Sequence, residues 1–209
     1  TSFVVEPKEW LSERQRSVSD RVAATIVRDL SNAVNHSHSK GILHRDLKPS
    51  NVLLQPAGAP TSVSSGTVRR EAFTPGEALL EEFPFTPKLT DFGISTPIRD
   101  SRLSTAPTNA GGSGTPQYMA PEQAQNKPAE FGWPTDVYGL GAILYEILTG
   151  SAPFCGNSPD TILRQVVHEA PKLPRFIRPS ISADLEAICV KCLEKDPAQR
   201  YESAAELRR

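Results

Sequence analysis

Hydrophobic and polar positions follow a helical period from Asp20 onward. Val22, Ile26, Leu30 and Val34 recur at fourfold spacing, and Ala23, Val27 and Ala33 widen the stripe, which predicts an amphipathic helix. Ser19 is placed to cap its start, and Gly41 to end it in the left-handed conformation. Ile42-Leu43 and Val52-Leu53-Leu54 are short β-type runs flanking a polar stretch, and residues 88–90 make another just before Asp91. From residue 136 to residue 148 the chain is apolar on nearly all sides, which predicts a buried helix ended by Gly150. Gly139 and Gly141 inside it each lower helix propensity by roughly 1 kcal/mol against alanine, so other backbone is expected to pack closely there. Residues 158–169 predict a further amphipathic helix with Ile162, Leu163, Val166 and Val167 facing in. Ser182 caps another that carries Leu185, Ile188, Cys189, Cys192 and Leu193, and Ser203 with Glu206 reads as the capping box of a last one.

Between these segments the period disappears. Residues 55–87 and 94–118 are rich in Pro, Ser, Thr and Gly, and 56–87 is expected to be a mobile or disordered insertion, with a helical turn within 77–83. Residues 1–18 are weakly patterned, with Trp10 and Leu11 expected in a short packing helix. No internal repeat is visible. The fold class expected is mainly α with short β-strands.

Composition narrows the classes. At 209 residues the chain suffices for one well-packed domain, and its net charge of −1 does not indicate a polyanion-binding surface, so nucleic acid is not an expected partner. No apolar run is long enough to span a bilayer and no signal sequence opens the chain, so it is expected to be soluble as it stands. Because it opens on Thr1 rather than Met, a fragment is expected. Three cysteines argue against a disulfide framework. Cys189 and Cys192 have zinc-like spacing without a second pair, and are expected to be small core side chains.

The candidate chemistry lies in His44-Arg45-Asp46-Leu47-Lys48-Pro49-Ser50-Asn51, which sets an acid, a cation and an amide close together before an apolar run. Asp91-Phe92-Gly93 adds a second acid. Phosphoryl transfer needs positioning and charge neutralisation more than covalent chemistry. Magnesium prefers oxygen ligands, and Asn51 and Asp91 are of suitable type. A hydroxyl nucleophile needs an acceptor for its proton, and Asp46 is one. Lys48 can balance charge on a phosphoryl group.

Together these stretches resemble a eukaryotic-type protein serine/threonine kinase of the bacterial branch. The 44–51 stretch matches the family's catalytic loop, and Asp91-Phe92-Gly93 its metal-binding motif. Gly114-Thr115-Pro116-Gln117-Tyr118-Met119-Ala120-Pro121-Glu122 matches the end of its activation segment, here 91–122. Asp136-Val137-Tyr138-Gly139-Leu140-Gly141 resembles the start of its central helix, and Asp196-Pro197-Ala198-Gln199-Arg200 the motif before its last helix. The motifs come in the family's order and cover nearly all of residues 20–209.

The resemblance implies ATP and Mg2+ as cofactors and a protein substrate. Asp46 would accept the substrate hydroxyl proton, Lys48 would contact the γ-phosphate, and Thr115 would hydrogen-bond near Asp46 and shape the peptide site. Asn51 and Asp91 would hold the metal, and Leu53 would lie beneath the adenine. His44, Phe92 and Asp136 would act as internal supports, and Glu122 would pair with Arg200. His36, His38 and His168 have no matching partners and are expected at the surface or on helices. Arg45 implies activation by phosphorylation, with Thr108 the first candidate beside Ser104, Thr105 and Ser113; the usual position is Gly111 here.

No Gly-x-Gly-x-x-Gly and no Val-Ala-Ile-Lys-like strand occurs in the chain. Residues 1–209 are therefore expected to be the kinase's large C-terminal lobe (α+β), with the small lobe missing and supplied from upstream sequence, and to have negligible activity alone. A cytoplasmic location is expected, with any membrane anchor of the parent outside this chain. The alternative function is a pseudokinase or scaffold that binds partners without catalysis; a third is a truncated product with no activity.

Overall fold

The computed structural model describes residues 18–56, 85–91, 96–97 and 115–209. Trp10, Leu11, most of the 56–87 insertion, Phe92, Gly93, and all of residues 98–114 with the candidate phosphorylation sites lie outside the described residues.

Helix α1 (Asp20–Ser39) forms as the fourfold stripe predicts. Ser19 Oγ accepts the Val22 N–H (3.3 Å), and Val22, Ala23, Ile26, Val27, Leu30 and Val34 are buried. Gly41, at φ 75°, turns the chain out of the helix. Strand β1 (Ile42–Leu43) precedes the polar stretch, and β2 (Val52–Pro56) follows it. β2 pairs antiparallel with β3 (Phe85–Leu89), Val52 facing Leu89 and Leu53 facing Lys88; β1 pairs with β4 (Thr96–Pro97). The β2–β3 ribbon is longer than the apolar runs predict. A two-stranded ribbon leaves each strand an open edge, so Pro87 does not break it.

The remaining elements are helical: α2 (Pro121–Ala124), α3 (Trp133–Thr149), α4 (Pro159–His168), α5 (Pro174–Ile177), α6 (Ala183–Cys192) and α7 (Ala204–Leu207). α3 is the central helix and packs against α1, α6 and α7. It begins ahead of the apolar run, at Trp133, because Pro134 is tolerated in a first turn that needs no N–H there. Thr135 Oγ1 accepts the Gly132 N–H at 3.1 Å and completes the start, and Gly150 at φ 82° ends the helix.

The two glycines of α3 mark close approaches. A Cβ on Gly139 would lie 2.6 Å from Leu47 Cβ, and one on Gly141 would lie 2.4 Å from Cys192 Cβ. Leu47, in the polar loop, and Cys192, on α6, therefore pack directly on the backbone of α3. Cys189 and Cys192 are both buried core side chains, and burial pushes the Cys192 thiol up to about 12. On α4, Ile162 and Val166 are buried with Phe154, while Leu163 and Val167 are half-buried. Ser182 and Ser203 cap α6 and α7. Glu206 Oε2, however, accepts from Glu202 N–H (2.8 Å), one residue before the position a capping box requires. Among the described residues no helix is long and apolar enough to cross a membrane.

Candidate active site

The loop between β1 and β2 is held by one buried carboxylate. Asp136, in the first turn of α3, accepts the His44 N–H at Oδ2 (2.9 Å) and the Arg45 N–H at Oδ1 (2.8 Å). His38 Nε2 lies 2.8 Å from Oδ2, and its ring stacks on Trp133 at 4.2 Å. His38 lies on α1, within the surface-or-helix expectation, but it is buried and has a partner in Asp136, which was not expected; His36 and His168 are exposed. The contact joins residues 98 positions apart, which no local pattern reveals.

The following peptides are satisfied in turn. His44 Nε2 faces the Thr90 carbonyl (3.1 Å), which assigns the ring proton to Nε2 and leaves Nδ1 to accept the Asp46 N–H (3.4 Å). Gln123 Nε2 donates to the Arg45 carbonyl (2.8 Å), and Asn51 Nδ2 donates to the Asp46 carbonyl (2.8 Å). Arg45 adopts φ 66°, the left-handed region, sustained by these contacts on both sides. Its guanidinium lies 5.2 Å from the Phe131 ring centroid. Burial pulls the Arg45 pKa below the usual arginine range, and the Asp136 charge offsets part of that.

Asp46, Lys48 and Asn51 converge. Lys48 Nζ donates to Asp46 Oδ2 at 2.6 Å, and Asn51 Nδ2 reaches the same oxygen at 3.1 Å. Both Asn51 contacts are to acceptors, so the amide nitrogen must face Asp46. Its Oδ1 makes no hydrogen bond among the described residues and is the atom left to ligate. The Asn51 carbonyl accepts both Thr90 N–H (2.9 Å) and Thr90 Oγ1–H (3.2 Å), which ties the residue before Asp91 to the loop. Asp91 is exposed at φ 61°. Leu53 is half-buried, on the strand face opposite the buried Val52 and Leu54.

Thr115 is exposed and lines one pocket with Arg45, Asp46, Tyr118 and Gln123. No hydrogen bond links Thr115 to Asp46. Tyr118 donates its phenol hydrogen to Glu146 Oε2; burial and that acceptor push its pKa well up, so it stays neutral. Glu122 and Arg200 form a bidentate pair (2.9 and 2.8 Å) in which both side chains are essentially inaccessible. Gln123 and His38 are the site residues that sequence reasoning missed. Gln123 follows directly on the Ala-Pro-Glu match, and nothing in its spacing marks an amide that reaches Arg45.

The sequence matches the family model for the protein kinase domain over residues 5–208. This chain belongs to the protein kinase family. The match takes in nearly the whole chain and does not by itself mark off a large lobe. Among curated relatives, the kinase domain is 38% identical to the serine/threonine-protein kinase PknB of Mycobacterium tuberculosis over 186 residues, 89% of this chain and 25% of that protein. It is 36% identical to PknB of Mycolicibacterium smegmatis over 91% of this chain and 26% of that protein. A probable serine/threonine-protein kinase of Streptomyces coelicolor is 37% identical over 96% of this chain and 25% of its own length. The chain thus spans about a quarter of the length of the curated relatives it matches.

Proposed function

We propose that the protein transfers the γ-phosphate of ATP to serine or threonine hydroxyls of proteins. The observation that carries this reading is the convergence of Asp46, Lys48 and Asn51 on a loop whose backbone is fixed by Asp136. The Asp46 carboxylate accepts the proton of the substrate hydroxyl as its oxygen bonds to the γ-phosphorus. The bond from that phosphorus to the β–γ bridging oxygen breaks, and ADP leaves. Lys48, already beside Asp46, moves its charge onto the transferred phosphoryl group. Thr115, across the pocket from Asp46, shapes the site for the peptide. Leu53 offers its open face to the adenine.

The donor set fits magnesium, since the Asn51 Oδ1 and the Asp91 carboxylate are hard oxygen ligands on two separate segments. When bound, the metal neutralises charge on the phosphates. Lys48 in the loop and the serine/threonine kinases among the relatives support hydroxyl substrates of that class. We take 91–122 as the activation segment and 56–87 as an insertion within the kinase domain.

The test is magnesium–ATP-dependent phosphorylation of a generic protein substrate by the full-length protein and its Asp46→Asn variant. Activity in the wild type with a loss of at least about a hundredfold in the variant is the expected result. Equal activity in both overturns the role of Asp46, and none in either overturns the kinase reading in favour of a non-catalytic scaffold. The 209-residue chain holds no glycine-rich loop, and by itself it is expected to show negligible turnover.

A further inference from the structure

Gln123 occupies a place that the reaction above does not use. It lies in α2, is buried, and spends both ends of its amide on backbone. Nε2 donates to the Arg45 carbonyl (2.8 Å), and Oε1 accepts the Ala120 N–H (3.0 Å). The first contact holds the peptide unit that leads directly into Asp46; the N–H of that same unit points to His44 Nδ1 (3.4 Å). The plane from which the Asp46 side chain departs is therefore gripped at its oxygen by Gln123 and at its nitrogen by His44. The second contact holds the chain that comes from Thr115 through the short 3-10 turn Pro116–Tyr118, which lines the pocket beside Asp46. A buried amide with one donor and one acceptor committed cannot rotate without leaving both partners unsatisfied.

We propose that Gln123 is a positioning residue: it sets the direction of the Asp46 carboxylate and makes that direction depend on the 115–120 segment being in place. This rests on the kinase reading, in which Asp46 must meet a hydroxyl proton. A misplacement on the order of 1 Å at such a group costs up to roughly a hundredfold in rate.

The experiment compares the full-length protein with Gln123→Glu and Gln123→Met, both close in shape to glutamine. Glutamate keeps the acceptor for Ala120 and, when ionised, turns an oxygen on the Arg45 carbonyl; methionine removes both bonds. Initial rates are measured at varied ATP and varied substrate protein between pH 6 and pH 8, with thermal midpoints for each variant. Both variants are expected to lose about tenfold to a hundredfold in kcat, with KM for ATP changed less than about threefold. A buried carboxyl titrates above its usual range, and in its neutral form it can donate to the Arg45 carbonyl. The ratio of Gln123→Glu to wild-type kcat should therefore rise as pH falls, whereas the Gln123→Met ratio should stay flat. Wild-type kcat in the variants overturns the proposal, as does a loss that only follows the unfolded fraction or two ratios with the same pH dependence. If Gln123→Glu does not fold, the kcat of Gln123→Met decides. A wild type that transfers no phosphate overturns the kinase reading and this inference with it; an active wild type with equally active variants overturns this inference alone.

Discussion

Gly141 and Gly139 show how little room a single side chain has in this core. At Gly141 a methyl group would meet Cys192 Cβ at 2.4 Å, with Cys192 backbone at 3.4 Å behind it, so neither neighbour can swing aside as a flexible chain end would. Gly141→Ala is expected to destabilise the fold by about 1–3 kcal/mol despite alanine's better helix propensity. Urea unfolding of the purified protein checks this, and a gain in stability would show that α6 yields. The paired helix penalties of Gly139 and Gly141 already announced that something lies against them, but not what. Leu47 and Cys192 are far from them along the chain, and only the packed structure supplies the partners. His38 and Gln123 have the same character. Neither is marked out by local pattern, and each becomes part of the site through a contact with Asp136 or Arg45 that folding alone creates. Asp46, Lys48 and Asn51 could be read from sequence because their mutual contacts span only a few positions.

The helices followed their periodic stripes closely, and departures arose where backbone chemistry overrode the pattern: Pro134 admitted an earlier start to α3, and ladder pairing lengthened β2 and β3. One link between elements is pH-sensitive. Lys195 Nζ donates to the Val166 carbonyl at the end of α4 (2.6 Å) and sits 4.3 Å over the Phe154 ring. Burial, then the Arg200 charge, lowers its pKa to about 8, against the partial counter-effect of Glu169 and Glu194. The folded state thus gives up the Lys195 proton near pH 8, while the unfolded chain keeps it to about pH 10.4. Between those values the unfolded state binds more protons, so this residue's contribution to stability rises with pH and is lost as pH falls through 8. The difference in unfolding free energy, wild type minus Lys195→Met, should therefore increase from pH 8 to about pH 10.4 and be flat below pH 7. Chemical denaturation at a series of pH values measures it, and a flat difference throughout would show that the ammonium is solvated.

The order of the motifs along the chain was enough to assign the protein kinase family. They also implied the Glu122–Arg200 pair, which forms as expected; what they did not convey is how many further groups that pair fastens. All five guanidinium N–H groups of Arg200 are used, on Glu122 and on the carbonyls of Pro134, Glu194 and Lys195. Arg200→Leu leaves a buried carboxylate unpaired and is expected to cost roughly 3–5 kcal/mol, and the added Glu122→Leu change should restore part of that. Equilibrium unfolding of the two single variants and the double variant checks both statements; a double variant that equals the sum of the singles would mean the pair is not coupled.

The same pairing has a consequence for how the protein is made. Glu122 leaves the ribosome 78 residues before Arg200, an interval on the order of 4–16 s at ordinary rates of synthesis. Throughout it the Glu122 carboxylate lacks the Arg200 guanidinium that pairs with it, so burying α2, which carries Gln123, against the 44–51 loop would leave that carboxylate unpaired. A nascent chain would therefore hold the 44–51 loop without the settled support of α2 until Arg200 has been made.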